Sequence, residues 1–137
     1  MEIRLINWEQ DDLSMLLTAS ELEGYKQIRR MLTDWQSGTN RFDKPGECMF
    51  VAIKGDVVGV CGLNDNGDNR GRLRRLYVHP NYRNKGVGNK LTQACIDHGL
   101  QTFENIVTNA GGDMAMRFYN RLGWRQINED RLTHSLL

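Results

Sequence analysis

Two continuous apolar stretches lie in the middle of the chain, separated by a short polar turn. Residues 48–53 (CMFVAI) and 57–63 (VVGVCGL) contain only apolar residues and glycine, and Lys54-Gly55-Asp56 has the composition of a hairpin turn. A strand with one solvated face alternates apolar and polar residues. These continuous runs therefore predict two strands that are covered on both faces.

Shorter apolar patterns predict the remaining strands, which lie at 2–6, 73–78, 104–108, 124–127 and 132–137. In the strand at 73–78, the apolar residue Leu73 is odd-numbered, whereas Leu76 and Val78 are even-numbered. One extra residue near Arg74-Arg75, a β-bulge, restores the alternation of the two faces.

Apolar residues at helical spacing predict four helices. Those at 8–19 and 20–35 precede the apolar stretches, and those at 87–98 and 114–122 alternate with the later strands. Strands that alternate with helices predict an α/β sandwich. The predicted N-terminal caps are Asp11 or Asp12 for the first helix, a capping box of Ser20 with Glu23 for the second, and Asp113 for the last.

Length and charge narrow the class of protein. At 137 residues the chain is expected to form one domain, and its formal net charge of +1 argues against a general nucleic-acid-binding protein. No apolar run approaches the roughly 18 residues of a membrane span, and no signal peptide is visible. We therefore expect a cytoplasmic protein that does not enter a membrane.

The cysteines and histidines do not predict a metal site. Cys48, Cys61 and Cys95 are odd in number, widely spaced and free of a C-x-x-C pair, which predicts three reduced and mostly buried thiols. The histidines show no metal-ligand spacing. Residues 64–71 (NDNGDNRG) resemble part of a calcium loop but lack its terminal Glu, so a hairpin loop is expected there.

A basic glycine loop, Arg83-Asn84-Lys85-Gly86-Val87-Gly88, joins the strand at 73–78 to the next helix. Glycines let backbone N–H groups converge on an anion, and the helix N-terminus adds positive potential. Asn89-Lys90-Leu91 follows, which excludes the P-loop and the G-x-G-x-x-G nucleotide signature. Two interpretations remain for the loop alone, a pyrophosphate cradle or a tight turn with solvated cations.

With its flanking sequences, this loop resembles the acetyl-coenzyme A signature of the GNAT superfamily of N-acetyltransferases. The context is LYVHP before the loop and FYNRLGW at 118–124. The resemblance implies a mixed, mostly antiparallel sheet of six to seven strands, with helices on both faces and with the fourth and fifth strands splayed apart. It also implies one domain over 1–137, with acceptor-side helices at 1–46 and a cofactor-binding core at 47–124.

The resemblance implies roles for particular residues. Tyr119 occupies the position of the family's acid, which protonates coenzyme A sulfur; the alternative is an aromatic residue that only packs on the sheet. The backbone of the strand would pair with the pantetheine arm, and the N–H of Tyr77 or Val78 would polarise the thioester carbonyl. Gly112 stands where relatives often carry an asparagine, and Asn109, three residues earlier, would take over its role. The implied cofactor-binding residues are Leu76, Tyr77, Val78, Arg83, Asn84, Lys85, Gly86, Val87, Gly88 and Asn109.

The acceptor side is less defined. Arg72 stands where many relatives carry a glutamate general base, and an arginine cannot accept the proton. Another carboxylate such as Glu47, a water relay or an amine of low pKa must then serve. Arg72 also suggests an acceptor that carries a carboxylate or phosphate. The candidate acceptor contacts are Tyr25, Arg29, Arg30, Arg72 and Trp35, and the alternatives are core positions for Tyr25 and Trp35 and a solvated edge for Arg29 and Arg30.

The expected function is acetyl transfer from acetyl-coenzyme A to a primary amine of a small molecule or peptide, by direct attack in a ternary complex and without a metal. The alternative is a non-catalytic acyl-coenzyme A-binding sensor or partner module of the same fold. A nucleic-acid-binding role is a weaker third hypothesis, because no aromatic residues are interleaved with the arginines at 70–75. The final strands could also pair two copies into a homodimer.

Overall fold

The two apolar stretches form the centre of a seven-stranded mixed sheet. A computed structural model describes all residues, 1–137, and gives the strand order β1-β2-β3-β4-β5-β7-β6. Neighbouring strands are antiparallel except β4 and β5, which are parallel. The strands are β1 Glu2–Leu5, β2 Cys48–Lys54, β3 Asp56–Asp65, β4 Arg70–Val78, β5 Asn105–Thr108, β6 Arg125–Glu129 and β7 Leu132–Ser135.

Helices cover both faces of this sheet, as the sequence predicts. They are α1 Ser14–Leu22, α2 Gln27–Ser37, α3 Val87–Gly99 and α4 Asp113–Arg121. On one face, Leu91 and Cys95 of α3 and Tyr119 of α4 belong to a cluster of 15 buried residues. On the other, Leu16 of α1 and Met31 of α2 belong to a cluster of ten. Continuous burial of β3 from Val57 to Asn64 follows from this double cover.

The bulge and the splay are both confirmed. Val60 of β3 pairs with Tyr77 and Gly62 pairs with Arg74, so β4 carries one extra residue in this interval. Arg75 has φ of +63°, a left-handed conformation that non-glycine residues adopt rarely. Pairing between β4 and β5 ends at Leu73 with Thr108. Beyond that point the two parallel strands separate and leave a gap.

The predicted boundaries of the first two helices are wrong. The first helix begins at Ser14 rather than residue 8 and continues through Ser20 to Leu22; a left-handed Gly24 then ends it. Ser20 is fully buried and donates to the carbonyl of Leu17, so it cannot cap a second helix. The Asp12 carboxylate does accept from the N–H of Ser14, as expected of a cap.

The last helix also differs from its prediction at the N-terminus. Asp113 is its first helical residue, and Gly112 precedes it without any side-chain cap. The C-terminus is as predicted, because Gly123 is left-handed, and its N–H and that of Trp124 bond back to Asn120 and Tyr119.

The three cysteines are free and buried, which confirms the predicted reduced thiols. No group of three or more His, Cys, Asp or Glu side chains is placed to hold a metal ion. None of the four helices has both the length and the apolar character that crossing a bilayer requires.

Candidate functional site

A cleft of about 650 Å³ lies where β4 and β5 diverge. It is within the range of volumes that ligand pockets occupy. Its walls come from the end of β4, the start of α3, the loop after β5 and one side of α4. The sheet itself therefore provides the opening, because backbone groups of β4 beyond Leu73 have no partner strand on this side.

Backbone groups of Leu76 and Val78 face this gap. The N–H of His79 donates to the carbonyl of Val58 on β3 at 2.8 Å. In an antiparallel strand, the backbone N–H and C=O groups of successive residues point alternately toward and away from the neighbouring strand. Those of Leu76 and Val78 therefore point away from β3, and those of Tyr77 point toward it. Of the two N–H groups that the resemblance implies for polarising a thioester, only that of Val78 faces the cleft.

The carbonyls of these two residues are already engaged. Gln27 Nε2 donates to the carbonyl of Leu76 at 3.3 Å, and Arg83 Nε donates to that of Val78 at 3.0 Å. Both side chains line the cleft. Their N–H groups stay directed at the gap, where an extended ligand could pair with them.

The glycine loop ends at the N-terminus of α3. Asn84 and Gly86 have φ of +61° and +81°, which folds the loop tightly before Val87 begins the helix. The N–H groups of Val87, Gly88 and Asn89 are in the first turn, where no carbonyl of the helix can accept from them. A Cβ on Gly86 would meet no atom within 4 Å, and one on Gly88 would lie 3.4 Å from the ring of Phe118. The free N–H groups of this first turn could hold an anion.

The two cations of the loop differ in their environment. The guanidinium of Arg83 forms a two-pronged pair with Glu23, at 2.8 and 2.6 Å, and lies over the ring of Tyr77. Lys85 is exposed, and the hydrogen bond from its Nζ to the carbonyl of Asn81 is long, at 3.4 Å. Lys85 is therefore the cation that remains available to a phosphate, and Arg83 mainly holds the segment after α1 against the loop.

Glu23 has a structural role that the sequence did not indicate. Besides Arg83, it accepts a 2.5 Å hydrogen bond from the hydroxyl of Tyr77. Arg83 lowers the pKa of Glu23, and the pairing raises the pKa of Arg83. No local sequence pattern marks Glu23 for this role, because its partners are 54 and 60 residues away.

Tyr119 lies at the inner end of the cleft. It is 4% exposed, and the rings of Phe118 and Trp124 lie 5.2 and 5.1 Å from its own. Burial raises the pKa of Tyr119, with the neighbouring Thr108 acting in the opposite direction. Its phenol is therefore neutral and able to donate a proton. Ala115, Phe118 and Leu122 are only partly buried, and Tyr119 is the residue of α4 that is buried.

The predicted acceptor contacts are not brought together. Tyr25 lines the cleft with its ring 6.2 Å from that of Tyr77. Arg29 is exposed, pairs with Glu21 and does not line the cleft. Arg72 lies outside it as well, with one guanidinium nitrogen 3.4 Å from the carbonyl of Arg131. Trp35 is half-buried and does not line the cleft, and its ring stacks on that of Trp8 at a centroid distance of 5.5 Å.

No predicted residue supplies a general base in the cleft. The carboxylate of Glu47 accepts from the backbone of Lys44 and Asp65 and from the side chain of Asn64, which fixes the β3 end of the sheet. Asp113 is the one carboxylate that lines the cleft. Asn109 also lines it, from the loop after β5.

Two neighbouring arginines of β4, one of them in the bulge, also line the cleft. Arg74 and Arg75 belong to β4 and face its opening. The side chain of Arg75 is 13% exposed, its Nε is buried without an acceptor, and Asp34 of α2 lies 3.8 Å away. Burial lowers the pKa of Arg75, as do the nearby Arg74 and Arg30.

Comparison with known proteins gives one family. The sequence model of the Acetyltransferase (GNAT) family matches residues 4–124. N-acetylaspartate synthetase of Xenopus tropicalis is 34% identical over 105 residues, which are 69% of this chain and 39% of that protein. The chain thus spans about two fifths of the length of this curated relative.

Solved structures share the fold. A protein of Exiguobacterium sp. 255-15 classed as an acetyltransferase has a TM-score of 0.85 and 26% identity, covering 99% of this chain and 93% of its own. A Bacillus anthracis Ames protein classed as a streptothricin acetyltransferase was solved in complex with acetyl coenzyme A. It has a TM-score of 0.59 and 21% identity, covering 63% of this chain and 52% of its own.

Proposed function

This chain belongs to the GNAT acetyltransferase family, and we propose that it transfers an acetyl group from acetyl-coenzyme A to a primary amine. The acceptor is a small molecule or a peptide, and the amine attacks directly in a ternary complex. We also propose that residues 1–46 form the acceptor side of a single domain and residues 47–124 the cofactor-binding core. Pairing of two copies through the final strands stays a prediction.

One observation carries the proposal: a single cleft contains an anion-binding loop, unpaired strand N–H groups and a buried neutral phenol. The N–H groups of Val87, Gly88 and Asn89, with Lys85, fit a pyrophosphate. The gap beside Leu76 and Val78 fits an extended arm that pairs with a strand. The bound cofactor supplies an acetyl thioester, which an amine can attack.

Two groups of the chain act on the reacting atoms in this proposal. The N–H of Val78 donates to the carbonyl oxygen of the acetyl group, where negative charge develops as the C–N bond forms. The hydroxyl of Tyr119 donates its proton to sulfur as the C–S bond breaks. A thiol has a pKa of about 8.5 and a phenol one of about 10, so the tyrosine is protonated at neutral pH and can donate as the thiolate forms.

Loss of the amine proton has no dedicated carboxylate in this proposal. Arg72 occupies the usual position of the base, and Glu47 is engaged by the backbone far from the cleft. An amine with a pKa of about 10.4 is neutral in roughly one molecule in 10³ to 10⁴ at pH 7. The acceptor therefore enters as the minor neutral species or loses its proton to water in the cleft.

A non-catalytic acyl-coenzyme A sensor is the second candidate function. The arginine at position 72 favours it, because the residue that many catalytic relatives use as a base is absent. The sensor binds acetyl-coenzyme A and turns over no amine, whereas the enzyme releases one free thiol for each acetyl group transferred.

Free-thiol release from acetyl-coenzyme A over a panel of primary amines tests the proposal. The frog relative is named for N-acetylaspartate synthesis, so amino acids come first in the panel, followed by polyamines and short peptides. The protein's three cysteines are buried, so its own thiols should contribute little to the signal. Amine-dependent release supports the enzyme; binding of the cofactor without release for any amine supports the sensor.

A further inference from the structure

We infer that the acceptor carries a carboxylate close to its amine, and that Arg75, assisted by Arg74, binds this carboxylate on the α2 side of the cleft. The inference rests on the proposed acetyl transfer and narrows its substrate class. It moves the anion-binding role from Arg72, which lies outside the cleft, to Arg74 and Arg75.

The bulge places both arginines at the cleft. Arg74 pairs with Gly62 of β3, and the extra residue of β4 comes directly after it, so that Arg75 and Leu76 oppose a single residue of β3. Leu73 and Leu76, on either side, pack in the cluster under α3. Arg75 instead reaches Asp34 of α2, so it lies on the opposite face of the sheet from the glycine loop's helix. An anion at Arg75 is thus separate from one held at the N-terminus of α3.

Positive charge on this wall exceeds negative charge. The charged groups that act on Arg75 are Arg74 and Arg72 of β4, Arg30 and Asp34 of α2, and only Asp34 is an anion. Its carboxylate is 3.8 Å from the guanidinium, beyond hydrogen-bond distance. Asp113, the one carboxylate of the cleft lining, belongs to α4 on the α3 side of the sheet. The wall at Arg75 therefore has Asp34 as its one anion, at a distance too long for a hydrogen bond, against several arginines.

Arg75 also has a hydrogen-bond donor without an acceptor. Its Nε is buried with no acceptor, in a side chain that is 13% exposed. Buried polar groups without partners are rare, and a bound ligand is one of the ways in which they are satisfied. The backbone at Arg75 adopts φ of +63°, which is unusual for arginine, so the fold holds this side chain at a cost.

A carboxylate matches the donors that Arg75 offers. The guanidinium presents a planar fork of N–H groups that pairs with the two oxygens of a carboxylate, and burial strengthens such a pair. A phosphate could also accept from the fork. Matched amines that differ only in the anionic group separate these two chemistries.

The experiment measures kcat/KM by free-thiol release for pairs of amines. The pairs are L-leucine with 3-methylbutylamine, L-phenylalanine with 2-phenylethylamine, and O-phosphoethanolamine with ethanolamine, with L-aspartate added as a dicarboxylate. The variants are Arg75→Gln, Arg75→Lys, and Arg29→Gln as a matched arginine outside the cleft. Calorimetric titration with acetyl-coenzyme A and thermal unfolding accompany each variant.

We expect the wild type to prefer the carboxylate-bearing amines by roughly 10- to 100-fold, the contribution of a charged hydrogen-bonded pair. Arg75→Gln removes this preference, Arg75→Lys keeps part of it, and Arg29→Gln leaves it unchanged, all with unaltered binding of acetyl-coenzyme A. Equal rates within each pair, a preference for the phosphate, or a uniform loss for all amines in Arg75→Gln overturns the inference alone. Cofactor binding with no amine acetylated overturns the enzyme and the inference together.

Discussion

Tyr119 shows how burial keeps a single side chain protonated. Three aromatic neighbours enclose its ring, namely Phe118, Trp124 and His134. Enclosure raises the pKa of the phenol, so the hydroxyl stays protonated across the physiological range. The same packing fixes where the hydroxyl lies, because Trp124 N–H bonds to the carbonyl of Tyr119 and ends the helix.

Replacing Tyr119 by phenylalanine keeps the ring and removes the proton donor. We expect kcat to fall by about 10²-fold, the lower end of what a positioned general acid contributes, with unchanged affinity for acetyl-coenzyme A. Thiol release and calorimetry measure the two quantities. Tyr82→Phe is the control, because Tyr82 lines the same cleft from the turn before the glycine loop. An equal fall in both variants contradicts the role of Tyr119 as the acid.

At the scale of elements, Glu23 joins the segment after α1 to β4 and to the glycine loop. It accepts from Arg83 and from Tyr77, and the side chains of Glu23 and Arg83 are 29% and 26% exposed. Pairs as sheltered as this one retain more of their electrostatic stabilisation than pairs in full contact with solvent. The segment after α1 and the glycine loop are thereby coupled through one carboxylate.

Glu23→Gln should lower the free energy of unfolding by about 1–2 kcal/mol, because it leaves a partly buried guanidinium without its anion. Urea denaturation at pH 7 measures it, and Glu21→Gln is the matched control, since Glu21 pairs with Arg29 at the surface. We expect the control to change stability little. Because the pKa of Glu23 is lowered, the difference between Glu23→Gln and the wild type should shrink as pH falls below about 4.3. Equal losses in the two variants would argue against the coupling.

At the scale of the whole molecule, His134 connects the end of the sheet to α4. It is fully buried, Nε2 donates to Asn120 at 2.8 Å, and Nδ1 accepts from the hydroxyl of Thr133 at 2.9 Å. In the neutral form with the proton on Nε2, both ring nitrogens have a hydrogen-bond partner. Burial accordingly lowers the pKa of His134.

Acidification should therefore destabilise the fold before most carboxylates titrate. The unfolded chain binds a proton at His134 near pH 6.5 and the folded chain binds it only at lower pH, so the stability from the neutral ring is full above pH 6.5 and is lost as pH falls through the lowered pKa. The limit for one group is about 1.4 kcal/mol per pH unit, and we expect a slope below this limit. Urea denaturation at steps between pH 7.5 and 5 measures it. His134→Gln should be less stable at pH 7.5 and have a flatter slope, and an unchanged slope would contradict this account.

Local patterns predicted those parts of the molecule that local physics decides. The apolar runs, the bulge near Arg75 and the glycine loop each follow from neighbouring residues, and the structure contains all three. The boundary between α1 and α2 did not follow, because the apolar pattern continues across Gly24. A left-handed glycine and the burial of Ser20 decide that boundary.

Contacts between side chains far apart in the chain could not be predicted from the sequence. The partners of Glu23 lie on β4 and in the glycine loop, and nothing near Glu23 indicates them. Arg72 and Arg75 are three residues apart and of one type, yet only Arg75 lines the cleft. The bulge determines that difference, and the sequence located the bulge without showing which arginine it would turn toward the opening.

The most direct test of the central claim is calorimetric titration of the protein with acetyl-coenzyme A. The wild type is compared with Gly86→Glu in the loop and Gly55→Glu in the β2–β3 hairpin. Gly86 and Gly55 have φ of +81° and +73°, and a Cβ on either would meet nothing within 4 Å, so the two substitutions impose similar backbone strain. Only Gly86 lies at the proposed pyrophosphate site.

We expect the wild type and Gly55→Glu to bind alike, and Gly86→Glu to bind at least roughly 100-fold more weakly, since it loses charge-assisted hydrogen bonds and adds a negative charge. Such a result would establish the cofactor site on which the acetyltransferase proposal depends. Absence of binding by a well-folded wild type would contradict both the enzyme and the sensor, and the loop would then be only a turn.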